Sequence, residues 1–162
     1  MTILRFIHIF SAIYWVGTTL FMVLFLEPTI RALGPDGGKF MQRLIGGTRF
    51  SLSMSLSGLL TILAGLLLFG SATGGWSTTL MFGARLPLTV GAVAGIAAGI
   101  AGGAVQDRAS GQLLKLGQDI ARQGGPPTPE QAAEMARLQA TIRQGSYWSA
   151  VLMVVAVIGM TW

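Results

Sequence analysis

Apolar positions along the chain gather into four long runs, Thr2–Leu26, Ser51–Gly70, Pro87–Val105 and Tyr147–Trp162. A helix crosses the ~30 Å hydrocarbon layer with about 20 apolar residues at ~1.5 Å each. The first three runs reach or approach that length. The fourth has only 16 residues, so it must borrow length from the segment before it. The pattern predicts an all-α integral membrane four-helix bundle forming a single domain over residues 1–162. Serines at 51, 53, 55 and 57 alternate as in a strand. A lone strand leaves its backbone unsatisfied in lipid, so these serines are expected on a helix, bonding back to the preceding turn.

Between the runs, Pro28 and the Gly-Pro-Asp-Gly-Gly stretch at 34–38 are expected to break any continuous helix. Residues 39–45, KFMQRLI, form a short amphipathic piece, and Gly46–Gly47 resets the chain. The second connection is rich in Gly, Ser and Thr and carries Trp76; this residue and Trp162 read as interfacial anchors. Residues 106–146 are polar but keep helical spacing. Leu113, Leu116 and Ile120 mark one stripe, and Ala132, Met135, Leu138 and Ile142 another. The turn lies at GGPPTP, residues 124–129, where Thr128 caps the second stripe with Pro129 and Gln131 behind it. Helices three and four therefore extend into an antiparallel hairpin with an arm of roughly 18 residues, about 27 Å long.

Composition agrees with the periodicity. The chain is 52% hydrophobic and only 10% charged, against roughly 25% charged in soluble domains. A net charge of +5 could suggest nucleic acid, but the basic residues follow topology instead. Four of the eleven, Arg31, Lys39, Arg43 and Arg49, lie in the first connection. Five more, Arg108, Lys115, Arg122, Arg137 and Arg143, lie in the third, leaving only Arg5 and Arg85 elsewhere. The positive-inside rule makes the two basic connections, and with them the 106–146 hairpin, cytoplasmic, with both termini outside the cell inner membrane. The apolar stretch of the first run exceeds the ~7–15 residues of a signal peptide and no A-x-A site follows, so it reads as a permanent helix. There is no cysteine, which excludes disulfides, thiolate metal sites and covalent haem attachment through Cys-x-x-Cys-His.

In the third run, Gly91, Gly95, Gly99 and Gly103 recur every four residues. This small-xxx-small pattern permits close helix packing, within the chain or in a homodimer through that face. It equally leaves room for a flat macrocycle against the backbone.

The chain's single histidine, His8, lies in the first run, about 10 Å below the outer surface at helical rise. On a helix it shares a stripe with Arg5, Ala12, Trp15, Thr19 and Met22. Ionisable groups inside spanning segments usually face the bundle interior and mark function. His8 offers a neutral nitrogen to a metal, and Arg5 is placed to meet carboxylates such as haem propionates. Trp15 forms one wall, and the glycines Gly91 and Gly95 another. The alternative is a histidine that only hydrogen-bonds a neighbouring helix.

His8, six residues, Trp15, one residue, Gly17, then Pro28 and Arg31, resembles the first helix of two small membrane families. These are the copper-resistance D-like family and the HemJ-type protoporphyrinogen oxidase family. The resemblance covers roughly residues 4–31 and implies a four-helix-scale unit whose first-helix histidine serves a cofactor or metal. The HemJ-type family also uses a lysine in a later helix. Here only Lys39 and Lys115 exist, both in connections, so oxidase chemistry does not carry over.

A bare copper or zinc ion wants three or four ligands. Haem brings four nitrogens of its own and needs one histidine. The expectation is thus a b-type haem protein with a redox or gas-binding role, His8 the axial ligand and metal-binding residue, Arg5 the propionate partner, and Tyr14, Met81 or Met160 near a sixth position. Two other readings stay open: a structural or assembly protein docking through its hairpin, and copper or small-ion transport. No nucleophile paired with a base and no phosphate-binding loop is present. Any catalysis would belong to a cofactor.

Overall fold

The computed structural model describes residues 1–161, apart from the side chain of Pro35; the expected anchor Trp162 lies outside the described residues. The described residues form helices and no strands. They are α1 (Thr2–Ala32), α2 (Pro35–Gly47), α3 (Phe50–Ala72), α4 (Thr78–Phe82), α5 (Leu86–Gln123) and α6 (Pro129–Met160). Four of them, α1, α3, α5 and α6, are long and apolar enough to cross a membrane.

The outside of this bundle is as greasy as its inside. Phe6, Ile9, Phe10 and Ile13 on α1, Leu52, Leu56, Leu59 and Leu63 on α3, and Val154, Val157 and Ile158 on α6 are all exposed. Helices apolar all round need an apolar surrounding, and a surface of this kind would aggregate in water. The molecule fits a multi-pass membrane protein.

Pro28 does not end α1. Met22–Leu26 winds as a π-helix immediately before it, and α-helix resumes over Glu27–Ala32. A proline removes one donor and crowds the carbonyl four residues back; a π-bulge is one way a helix absorbs the disrupted register. The 34–38 stretch is likewise not a pure turn. Gly34 alone takes a positive φ of 56°, and Pro35 starts α2, with Asp36 in the first turn. Proline at the first helical position and an acid beside it favour a helix start. Gly46 and Gly47 remain helical, and the chain resets at Thr48–Arg49 instead.

At the end of its apolar stretch α5 passes through a second π segment, Ile100–Gln106, before its polar end, Asp107–Gln123, which packs on α6. Gly124 ends α5 in the left-handed conformation, φ 69°. Thr128 accepts from the Gln131 N–H while the Gln131 side chain accepts from the Thr128 N–H, a complete capping box. Next to it the Glu130 carboxyl is held below the ordinary carboxylate range by its own backbone N–H and by Thr128. The fourth span borrows its length as expected, since α6 is one helix of 32 residues.

α5 and α6 make the closest seam. A Cβ at Gly159 would fall 2.6 Å from the Pro87 carbonyl oxygen and 2.8 Å from Gly91 Cα. Only glycine at both positions lets the backbones approach this far. Ser149, 2% exposed, crosses the same seam to donate to the Ala98 carbonyl at 3.1 Å. At the centre, Trp15, Ala98 and Met153 form the buried core, with Val16, Met54, Ile62 and Leu152 packed around it.

Candidate functional site

The geometry of the site follows from how α1 lies against α3. His8 and Trp15 are seven residues apart, two turns along one helix face. Gly58 and Gly65 are also seven apart, and the helices run antiparallel, so each bulky ring meets one bare glycine. A Cβ at Gly65 would lie 2.8 Å from His8 Cε1, and a Cβ at Gly58 would lie 3.1 Å from Trp15 Cε2. The two rings are knobs seated in holes of the facing helix. Trp15 is buried and also abuts Gly99 of α5, while His8 is half-buried.

Seated there, His8 Nδ1 lies 2.9 Å from the Thr61 carbonyl oxygen. A carbonyl only accepts, so Nδ1 carries the proton and donates. In the neutral ring, Nε2 is then the lone-pair nitrogen. Nε2 has no hydrogen-bond partner among the described residues, yet no sealed polar side-chain atom among them lacks one. Nε2 is therefore not sealed inside the protein. A metal-binding histidine is commonly held in this way, one nitrogen donating to a backbone carbonyl and the other left for the metal.

His8 also borders a cavity of about 50 Å³ between α1, α3, α5 and α6, whose exposed surface is apolar throughout. Its lining includes His8, Met153 and Met160 together with Trp15, Thr61 and Gly95. Met153 and Met160 are again seven residues apart, so one face of α6 presents both thioethers. Met153 is 2% exposed. Among the described residues no group of three or more His, Cys, Asp or Glu side chains could hold a metal. The soft side-chain donors among the lining residues are one imidazole and two methionine thioethers.

The expected site residues come together only in part. His8, Trp15 and Gly95 line one cavity. Arg5 is exposed, takes no part in the cavity and forms no ion pair among the described residues. Gly91 does not face the histidine: it is buried under α6, where a Cβ would come 2.9 Å from the Ala156 carbonyl oxygen. Gly103 of the stripe is exposed with nothing within 4 Å of a Cβ, but Gly91 is taken up by α6 and Gly99 by Ile62 and Trp15. No groove remains there for a macrocycle, and at these positions none for a second copy. Tyr14 points to Ser53, hydroxyl to hydroxyl at 2.8 Å, away from the cavity. Met81 does not line the cavity either; of the three expected sixth-position candidates only Met160 does.

Cofactor sites for molecules of haem's size class run from roughly 300 to 1,000 Å³, so a porphyrin does not fit the 50 Å³ space as the helices are packed. A single ion or about one to two waters does. Gly58, Thr61, Gly65 and Met153 were missed by sequence reading. The repeated seven-residue spacing on three helices was the available signal.

No known protein family, curated protein or solved structure matches the chain in comparison.

Proposed function

We propose that this multi-pass membrane protein holds a single soft metal ion, copper(I), inside the bundle through His8, Met153 and Met160. The observation that carries the reading is that His8, Met153 and Met160 all line one cavity of about 50 Å³. Thioether ligands select copper(I) over harder ions. The Nδ1–H bond to Thr61 supports it by fixing the tautomer that leaves Nε2 as ligand. Apolar walls favour a monovalent, weakly hydrated ion over a divalent one, whose desolvation costs more. The nine-to-two distribution of basic residues supports an inner-membrane orientation with both termini outside and the Asp107–Ser146 region cytoplasmic. The site then lies toward the outer face.

The test is titration of purified protein with copper(I) against a chromogenic chelator, with metal content measured in parallel. One tightly held copper per chain, lost in His8→Ala, is expected. Failure to compete with a weak chelator at any protein concentration sinks the reading.

Haem b on His8 is the second reading, favoured by the same Nε2 geometry. It requires α1 to part from α3 and α6, because the cavity is several-fold too small. A Soret band in protein expressed with ample haem, absent from His8→Ala, supports haem and displaces copper.

A further inference from the structure

A second recess lies far from His8, where the end of α1 meets the middle of α6. Its volume is about 400 Å³, and it is lined by Val23, Glu27, Pro28, Arg31, Arg143 and Tyr147. Both helices change character at this level. On α1 no charge occurs between Arg5 and Glu27; on α6 none occurs from Gln144 to Met160. The recess therefore straddles the boundary between the apolar and polar parts of two helices at once. Aromatic residues mark the same level, with Tyr147 and Trp148 both more than half exposed.

The charges in the recess are unbalanced. Arg31 donates to Glu27 at 2.7 Å, an i,i+4 pair. Arg143 forms no ion pair among the described residues and is exposed. One carboxylate thus faces two guanidiniums, leaving a net positive site whose donors suit the oxygens of a phosphate. The rest of the lining includes the apolar Val23 and the ring of Tyr147, and Leu24, Phe25 and Val151, close to them in the chain, are exposed. A ligand that matches both ends is anionic at one end and hydrocarbon at the other.

We infer that this recess binds the phosphate headgroup of an anionic phospholipid, with Arg143 as the main cation, Arg31 as the second, and an acyl chain lying along Val23 and Tyr147. Basic recesses between spanning helices at the cytoplasmic level recognise lipids in this way. The volume is in the range of small-molecule sites. The π-helical turn at Met22–Leu26 forms part of the wall of the recess, through Val23.

The experiment is native mass spectrometry of the full chain released from detergent with added phosphatidylglycerol, phosphatidylcholine or inorganic phosphate. Retention of one phosphatidylglycerol, in preference to phosphatidylcholine, is expected. Arg143→Gln should weaken it about fivefold, as one interfacial cation is worth. Arg122→Gln, at the distant end of α5, serves as the charge control, and thermal midpoints without lipid confirm that both variants fold. Equal retention of the two lipids, or an equal loss in Arg122→Gln, overturns the inference. Inorganic phosphate binding as well as the lipid does so too, because it makes the site one for free phosphate. Copper binding by His8 is unaffected in either outcome, so the two readings fail separately.

Discussion

The imidazole of His8 rests on the bare backbone of Gly65, close enough that a methyl group there would sit 2.8 Å from Cε1. This contact joins packing to chemistry. The glycine lets the ring approach α3, and the approach lets Nδ1 reach the Thr61 carbonyl. What remains free on the ring is set by what the neighbouring helix lacks.

Gly65→Ala should therefore push the ring off its seat. An overpacked site costs about 1–3 kcal/mol, read as a lower midpoint in thermal or denaturant unfolding in micelles. Copper affinity should fall with it. Gly17→Ala is the control, since nothing lies within 4 Å of a Cβ there; unchanged stability in both variants would contradict the packing described.

Gly159→Ala should be worse than Gly65→Ala. At Gly65 the obstacle is a side chain that can rotate. At Gly159 it is backbone, the Pro87 oxygen at 2.6 Å and Gly91 Cα at 2.8 Å, and relief requires α5 and α6 to separate. A loss of about 3 kcal/mol or more is expected. The ranking of the two unfolding midpoints checks it.

Ser149→Ala should cost little despite its burial. The hydroxyl bonds the Ala98 oxygen at 3.1 Å, but interhelical hydrogen bonds in membrane proteins average about 0.6 kcal/mol. A loss beyond about 2 kcal/mol would show that the π segment starting at Ile100 depends on this bond.

Thr128→Ala removes the capping box at the start of α6 and should cost about 1 kcal/mol locally. Hydrogen exchange at the Gln131 amide is the sensitive measurement. Exchange there should quicken while the core around Trp15 stays protected.

Met160→Leu keeps the volume of the cavity wall while removing a sulfur. Copper(I) affinity should drop about tenfold or more with the thermal midpoint nearly unchanged, since volume-conserving swaps usually cost under ~1.5 kcal/mol. An unaltered affinity would remove Met160 from the site.

The spans were legible because lipid demands length and apolarity, and both are written locally in the chain. His8 and Trp15 facing inward was also legible, from a polar stripe on an apolar helix. Their partners were not, because Gly65, Gly58 and Met153 enter through the register between helices, which no single helix encodes. Arg5 was misjudged for a related reason: a shared stripe does not oblige a long side chain one turn from the end to turn inward. Pro28 was misread as a stop because the upstream residues wind as π-helix, and that winding leaves no mark in hydropathy.

The paired glycines on α3 also govern how α1 can move. Slid by one turn in either direction, His8 would meet Thr61 or Phe69, and Trp15 would meet Met54 or Ile62, all of which carry side chains. Piston-like travel of the first helix along the third is thus blocked both ways. If α1 takes part in opening the cavity, it swings outward as a hinged door, toward the surrounding acyl chains.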